Sequence, residues 1–340
     1  MRVITVESAQ PGMILARSVH DGKDNVLLKG GITLTADYIR RLKLKGVPYF
    51  YILDDATEDI EIDDVIPDEV RQEGITLMRK VFTSHVINYD EISRTVDKII
   101  EELLTTRSVS LQVLNIKTYD NYTFSHSVNT CVLGIALAKK LKVPPAELAK
   151  MAIGLILHDI GKILVPESIV NKAGKLTDDE FKLMKKHSEF GWDILKKTDS
   201  IAPLSRIIAL QHHEKYNGTG YPDGLKGDKI HLFAQIAAVA DVYDAMTSDR
   251  IYRKKYYPHE ALEYFMGNGN MHFKIDLVQA FLQIIPPFAV GTTVKLSTGD
   301  EAVVKEVDMN CPMRPEIRLL NTLEDVDLVD YPSITITEVL

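Results

Sequence analysis

The sequence predicts a mainly α-helical protein with a small β-rich module in front and a short β appendage behind. Three observations carry this. Between Asp68 and Ile285 apolar residues recur at about 3.6-residue spacing, as in Val70, Leu77, Met78, Val81 and Phe82, then Ile92, Val96, Ile99 and Leu103. Residues 1–53 instead alternate apolar and polar positions, punctuated by Pro11-Gly12, Asp21-Gly22 and Gly30-Gly31. After Pro286-Pro287 short alternating runs return.

Taken in order, 1–53 reads as a β-rich module with one short helix near Thr35–Lys45 and a closing strand Tyr49–Leu53. It carries no convergent catalytic residues, so its expected role is packing or regulation. Residues 54–69 hold nine acidic and no basic side chains, which predicts a solvated linker. The span 70–285 is expected to be the helical domain, with joints at Pro144-Pro145, Gly174, Pro203 and Gly218 to Gly227. Thr177-x-x-Glu180 is a capping box and marks one helix start. In 286–340, Val290–Leu296, Glu301–Val307 and Glu316–Leu320 read as strands around the turn Thr298-Gly299-Asp300, expected to pack on the helical body.

With 45% hydrophobic and 26% charged residues the composition is that of a water-soluble globular chain. No apolar run approaches the roughly 18 residues that span a bilayer, and Met1-Arg2-Val3-Ile4-Thr5 lacks a signal-peptide core. Cys131 and Cys311 form no disulfide framework, which suits a reducing cytoplasm. The net charge of −8 argues against a long nucleic-acid duplex as partner, while a small anionic ligand can still be met by local cations.

The chemistry centres on His158-Asp159-Ile160-Gly161-Lys162, which closes the apolar run Met151 to Leu157. Burying a carboxylate beside an imidazole costs several kcal/mol, of order 3, unless a cation or a hydrogen bond compensates. Lys162, four residues after His158 and three after Asp159, shares their face if the segment is helical, and could itself be that cation. Further donors follow the same logic: His126, His187, the adjacent His212-His213, and Asp241 directly after the apolar run Phe233 to Ala240. A lone histidine in a core is usually satisfied by its neighbours; seven imidazole and carboxylate donors suit two ions sharing one carboxylate. Such donors, without thiolate, fit Fe, Mn, Zn or Co. A pair of ions activates a bridging hydroxide and clamps a phosphoryl group during in-line attack. Lys162 and the basic run Arg250, Arg253, Lys254 and Lys255 are the candidate cations for phosphate oxygens, the run being otherwise a solvated helix end.

Tyr122-Thr123-x-x-His126-Ser127, His158-Asp159-x-Gly161-Lys162, Lys172 to Thr177, His187, His212-His213, Asn217 to Leu225 with its Gly220-Tyr221-Pro222, and Asp241 to Arg250 together resemble the HD-GYP subfamily of HD-domain phosphohydrolases, over about residues 110–265. The resemblance implies an all-helical HD-type core and a phosphodiesterase that opens cyclic di-GMP to pGpG, in some members on to GMP. It implies one metal on His126, His158, Asp159 and Asp241 and another on Asp159, His187, His212 and His213, most simply Fe or Mn, with Asp159 bridging. Lys162 would meet the scissile phosphate, as would Arg250 and Arg253. The Gly220-Tyr221-Pro222 loop would border the substrate or dock a partner, a diguanylate cyclase or an adaptor. A homodimer is a candidate assembly. Gln10-Pro11-Gly12-Met13 and Val290-Gly291-Thr292 resemble flanking regions common beside such domains.

One position departs from the family. Three-metal members carry a glutamate four residues before the first histidine, where this chain has Tyr122. A phenol, with a reference pKa of about 10, is a poor ligand at neutral pH. The expectation is therefore two metals, with pGpG as the main product. The competing readings are a cyclic-di-GMP sensor or adaptor without turnover, and the same chemistry on another cyclic dinucleotide such as cyclic GMP-AMP.

Overall fold

The computed structural model describes the chain except residues 21–25, 48, 63, 106–121, 173 and 249–255 and the side chain of Tyr122. Strand β1 (Arg2–Thr5) pairs antiparallel with β5 (Tyr49–Leu53), whose other edge takes β2 (Ile14–Leu15). The short strands β3 (Val19–His20) and β4 (Val26–Leu28) form a separate ribbon. Helix α1 (Ala36–Leu44) starts where expected because the Thr35 hydroxyl accepts from the Tyr38 amide. It covers the sheet with Ile39 and Leu42, closing a core of Leu15, Val19, Leu34, Phe50 and Ile52.

The acidic stretch is not a free linker. Thr57, Ile60, Ile62, Val65 and Ile66 are buried between the carboxylates. Three carboxylates are each answered by an arginine from another segment: Asp54 by Arg2 at 2.6 Å, Asp64 by Arg17 at 2.5 Å, and Asp59 by Arg318. The Met1 ammonium donates to the carbonyls of Thr57 and Ile60. Charge counting missed this because the apolar residues alternate with the acids, so one side faces inward while the other meets the arginines.

The helical body comprises, among the described residues, α2 (Asp68–Ser84), α3 (Tyr89–Thr105), α4 (Tyr122–Lys140), α5 (Pro145–Ile156), α6 (Glu167–Val170), α7 (Asp178–Lys185), α8 (His187–Lys196), α9 (Pro203–Gln211), α10 (Leu232–Thr247), α11 (Pro258–Gly267) and α12 (Ile275–Leu282). The capping box of Thr177 and Glu180 starts α7. Helices α4 and α10 pack together at the centre and are buried nearly all round, α10 on an almost continuous apolar run and α4 with Ser125, His126, Ser127, Asn129 and Thr130 buried beside its apolar half. Around them, α5 packs on α4 and α9, and α9 on α8. No described helix is long and apolar enough to cross a membrane.

The C-terminal strands β6 (Thr293–Leu296), β7 (Glu301–Glu306), β8 (Glu316–Leu319), β9 (Asp325–Asp327) and β10 (Ile336–Val339) form one antiparallel sheet in the order β10-β6-β7-β8-β9. The last two are short, half-exposed and charged, which hid them from pattern reading. The Phe288 ring lies 5.3 Å from that of His259 of α11, tilted by 32°, but the sheet also meets the N-terminal module. The Val3 amide donates to the Gly291 carbonyl at 2.9 Å and Thr293 Oγ1 donates to the Val3 carbonyl at 3.4 Å.

Candidate metal centre

The His158-Asp159 pair does not lie on a helix. Helix α5 ends at Ile156, and the chain passes through a turn into a 3₁₀ segment, Ile160–Leu164, closed by Ile160 N–H to Leu157 O (3.0 Å) and Lys162 N–H to Asp159 O (2.9 Å). The shared face of Asp159 and Lys162 survives because three residues make one 3₁₀ turn, and the ammonium sits 2.5 Å from Asp159 Oδ2. Gly161 lets this turn press onto α8. A Cβ there would lie 1.9 Å from the His187 carbonyl oxygen and 2.4 Å from the Gly191 nitrogen, so only glycine fits.

Five segments converge on Asp159, which is buried. Its Oδ2 lies 3.4 Å from His158 Nε2 and 3.8 Å from His126 Nε2, the latter on α4. Its Oδ1 lies 3.4 Å from His187 Nε2, at the start of α8, and 3.8 Å from His212 Nε2, just past α9. Asp241 on α10 reaches both sides, with Oδ1 at 3.1 Å from His126 Nε2 and Oδ2 at 3.9 Å from His213 Nδ1. Two donor groups result, His126-His158-Asp159 and Asp159-His187-His212-His213, the ligand atoms of each lying within 4.8 Å of one another.

The imidazoles are turned to offer lone pairs. Nδ1 of His158 donates to the Leu155 carbonyl and that of His187 to the Met184 carbonyl, both at 2.7 Å. His212 Nδ1 lies 3.0 Å from the carbonyls of Ile208 and Ala209. A carbonyl only accepts, so each proton is on Nδ1 and each Nε2 is bare. The Nε2 atoms of His187 and His212 then face each other at 3.3 Å, two acceptors without a donor between them. His158 Nε2 and Asp159 Oδ1 are buried with no hydrogen-bond partner among the described residues.

Protons do not fill this gap. Burial lowers the pKa of His187, holds His212 well below the ordinary histidine value, and brings His213 down to about 3. Burial would raise Asp159, yet Lys162 and His158 keep it well below the usual carboxylate range; His126 does the same for Asp241. His126 is the exception: burial opposes its charge, but the Asp241 and Asp244 carboxylates beside it win and push it up to about 9. Buried carboxylates among orphaned, neutral imidazole acceptors are a donor set that fits divalent cations of borderline hardness.

The sequence reading missed the groups that hold these donors. Asp244 Oδ2 lies 2.8 Å from His126 Nδ1, and Asn129 Nδ2 donates to Asp244 Oδ1 at 2.8 Å. The signal was present, since Asp244 falls three residues after Asp241 in an apolar helix and so on nearly the same face. Glu214, directly after His213, is buried and accepts from the amides of Asp223 (2.8 Å) and Leu225 (3.0 Å), which folds the Gly220-Tyr221-Pro222 loop back over the site. The Tyr221 ring lies 4.8 Å from that of His213, and Lys185 Nζ sits 5.7 Å above it. Gly220 passes so close to Glu214 and Lys215 that a Cβ would lie 2.3 Å from the Lys215 nitrogen. Arg250, Arg253, Lys254 and Lys255 fall outside the described residues, as does the Tyr122 side chain.

Residues 113–277 match the family described as HD domain. Over 245 residues, 72% of this chain, the sequence is 37% identical to a cyclic di-GMP phosphodiesterase of Pseudomonas aeruginosa and spans 59% of that protein. It is 29% identical over 65% of its length to a 3'3'-cGAMP-specific phosphodiesterase of Vibrio cholerae, spanning 43% of it. The chain thus spans about half the length of these curated relatives. Its fold is similar to that of Bd1817, an HDG"Y"P protein from Bdellovibrio bacteriovorus, with a TM-score of 0.55 and 22% identity over 82% of this chain and 97% of that one.

Proposed function

We propose, from the match of residues 113–277 to the HD-domain family, that the chain is a metal-dependent phosphodiesterase that opens cyclic di-GMP to linear pGpG. The observation that carries the reading is Asp159, whose two oxygens face different histidine groups in a site of bare, buried acceptors. His126, His158, Asp159 and Asp241 would hold one divalent ion, and Asp159, His187, His212 and His213 a second, Fe or Mn by donor type. When bound, such ions supply Lewis acidity toward a phosphodiester and make a nucleophile available from water at neutral pH.

The chain's own residues do the rest. The carbonyls of Leu155, Met184, Ile208 and Ala209 and the carboxylate of Asp244 fix the imidazole planes, so no reorganisation is needed when substrate arrives. Lys162, a quarter exposed at the rim, is placed to neutralise a non-bridging phosphate oxygen and to give a proton from Nζ to the departing ribose oxygen. Tyr221 and Lys185 offer an aromatic face and a cation at the same rim, suited to a nucleobase and a phosphate. Tyr122, in place of a third-metal glutamate, favours stopping at pGpG. The unpaired Cys131 and Cys311 suit a cytoplasmic setting.

The relative specific for 3'3'-cGAMP supports a second reading in which the same chemistry acts on that dinucleotide. Protein loaded anaerobically with Fe or Mn and offered both compounds separates the two. The account expects cyclic di-GMP to be the faster substrate, with pGpG accumulating. Faster turnover of 3'3'-cGAMP selects the second reading, and calorimetric binding of cyclic di-GMP without product makes the chain a sensor or adaptor.

A further inference from the structure

Arg71, in the first turn of α2, is far from any solvent the sequence would grant an arginine: it is 6% exposed. A buried guanidinium is costly unless its charge and donors are met, so its partners carry information. Its Nη1 donates to Asn129 Oδ1 at 3.1 Å. Asn129 then turns its Nδ2 to Asp244 Oδ1 at 2.8 Å, and Asp244 Oδ2 meets His126 Nδ1 at 2.8 Å. The chain of bonds has a sense. A guanidinium can only donate, so Asn129 must present oxygen to Arg71 and nitrogen to Asp244. With that N–H on one carboxylate oxygen, the other is left to accept from His126 Nδ1. His126 Nε2 is thereby turned toward Asp159 and Asp241, where it offers a lone pair once a metal ion displaces its proton.

Burial works against the charge of Arg71, and the carboxylates of Asp64 and Asp68 and the phenol of Tyr51 work to keep it. Asp64 is paired with Arg17 at 2.5 Å, and the Arg17 guanidinium lies 4.8 Å over the Tyr51 ring. Arg17 and Tyr51 belong to the N-terminal β segment, so the charges of that segment act through space on Arg71, which bonds onward to a donor of the candidate metal centre.

We propose that Arg71 is a positioning residue for His126, setting its tautomer and ring orientation through Asn129 and Asp244, and that the Arg17–Asp64 pair is where the N-terminal segment acts on it. The metal part of this rests on the function proposed above; the tautomer part does not. Among the described residues, no hydrogen bond of His187, His212 or His213 joins the path.

The test uses the full chain, stripped of metal, as wild type, Arg71→Met, Arg71→Lys and Asp64→Asn. Nitrogen NMR of labelled histidines, recorded above the His126 pKa of about 9 where its ring is neutral, reports the His126 tautomer, and calorimetric titration with Mn²⁺ near neutral pH reports binding. The expected result for Arg71→Met is a mixed or reversed His126 tautomer, with one Mn²⁺ event weakened by about 10- to 100-fold and the other unchanged. Arg71→Lys should recover part of that loss, and Asp64→Asn should shift both signals in the same direction by less. Two intact Mn²⁺ events and an unchanged His126 signal in Arg71→Met would overturn the proposal, as would equal weakening of both events, the mark of a merely structural arginine. If Arg71→Met does not fold, Asn129→Leu tests the same path. Unchanged signals in Asp64→Asn refute the link to the N-terminal segment. A wild type that binds no Mn²⁺ refutes the metal reading, and the tautomer shift still decides the role of Arg71.

Discussion

At Asp159 the two demands on a buried carboxylate meet: it must be paid for locally by Lys162, and it must leave its second oxygen open. Of the seven candidate donors, His158, Asp159, His212, His213 and Asp241 were legible in the sequence because each closes an apolar run, whereas His126 and His187 stand among polar residues and were legible only as members of the set. Asn129 and Arg71 were not legible, because their meaning lies in contacts between residues more than fifty positions apart along the chain, which no spacing rule reports; the spacing of Asp244 from Asp241 did signal it. Lys162 carries a prediction of its own. Its role toward phosphate is separable from metal binding, so Lys162→Met should keep the wild-type Mn²⁺ content while kcat falls about 10²-fold, a magnitude typical of losing one preorganised charge partner of the transition state. Steady-state rates alongside metal analysis check this, and an unchanged kcat would remove Lys162 from the mechanism.

The helices show where periodicity succeeds and where it stops. Regular apolar spacing located α2 and α3, and the Thr177–Glu180 box located α7, while the central pair fell within a span read only as mostly helical. Spacing also extended α5 through His158 to Lys162, where the chain turns into a 3₁₀ segment instead. The deciding contact is Gly161 against the backbone of α8, a tertiary fact that overrides local propensity. Gly161→Ala should therefore cost about 3 kcal/mol, because a Cβ 1.9 Å from a backbone oxygen cannot be absorbed by a side-chain rotation. It should also pull Asp159 away from His187 and weaken Mn²⁺ binding. Thermal unfolding with and without Mn²⁺ measures both effects; a wild-type midpoint would contradict the close approach.

Across the whole molecule, the acidic stretch is a strap that ties the two β-rich ends together. Arg318 of β8 reaches Asp59, Arg2 of β1 reaches Asp54, and β1 also bonds to the residues that lead into β6. Composition alone read that stretch as solvent-facing, because its arginine partners come from distant segments. The helical body lies between those ends along the chain, and it buries the cluster of histidines and carboxylates around Asp159. The most direct test of the account is the metal content of the anaerobically loaded chain, wild type beside Asp159→Ala, followed by product analysis with cyclic di-GMP. About two Fe or Mn ions per wild-type chain with pGpG formed, and neither metal nor product in Asp159→Ala, is the predicted result. An Asp159→Ala chain that holds no metal and still opens the dinucleotide at the wild-type rate would contradict it.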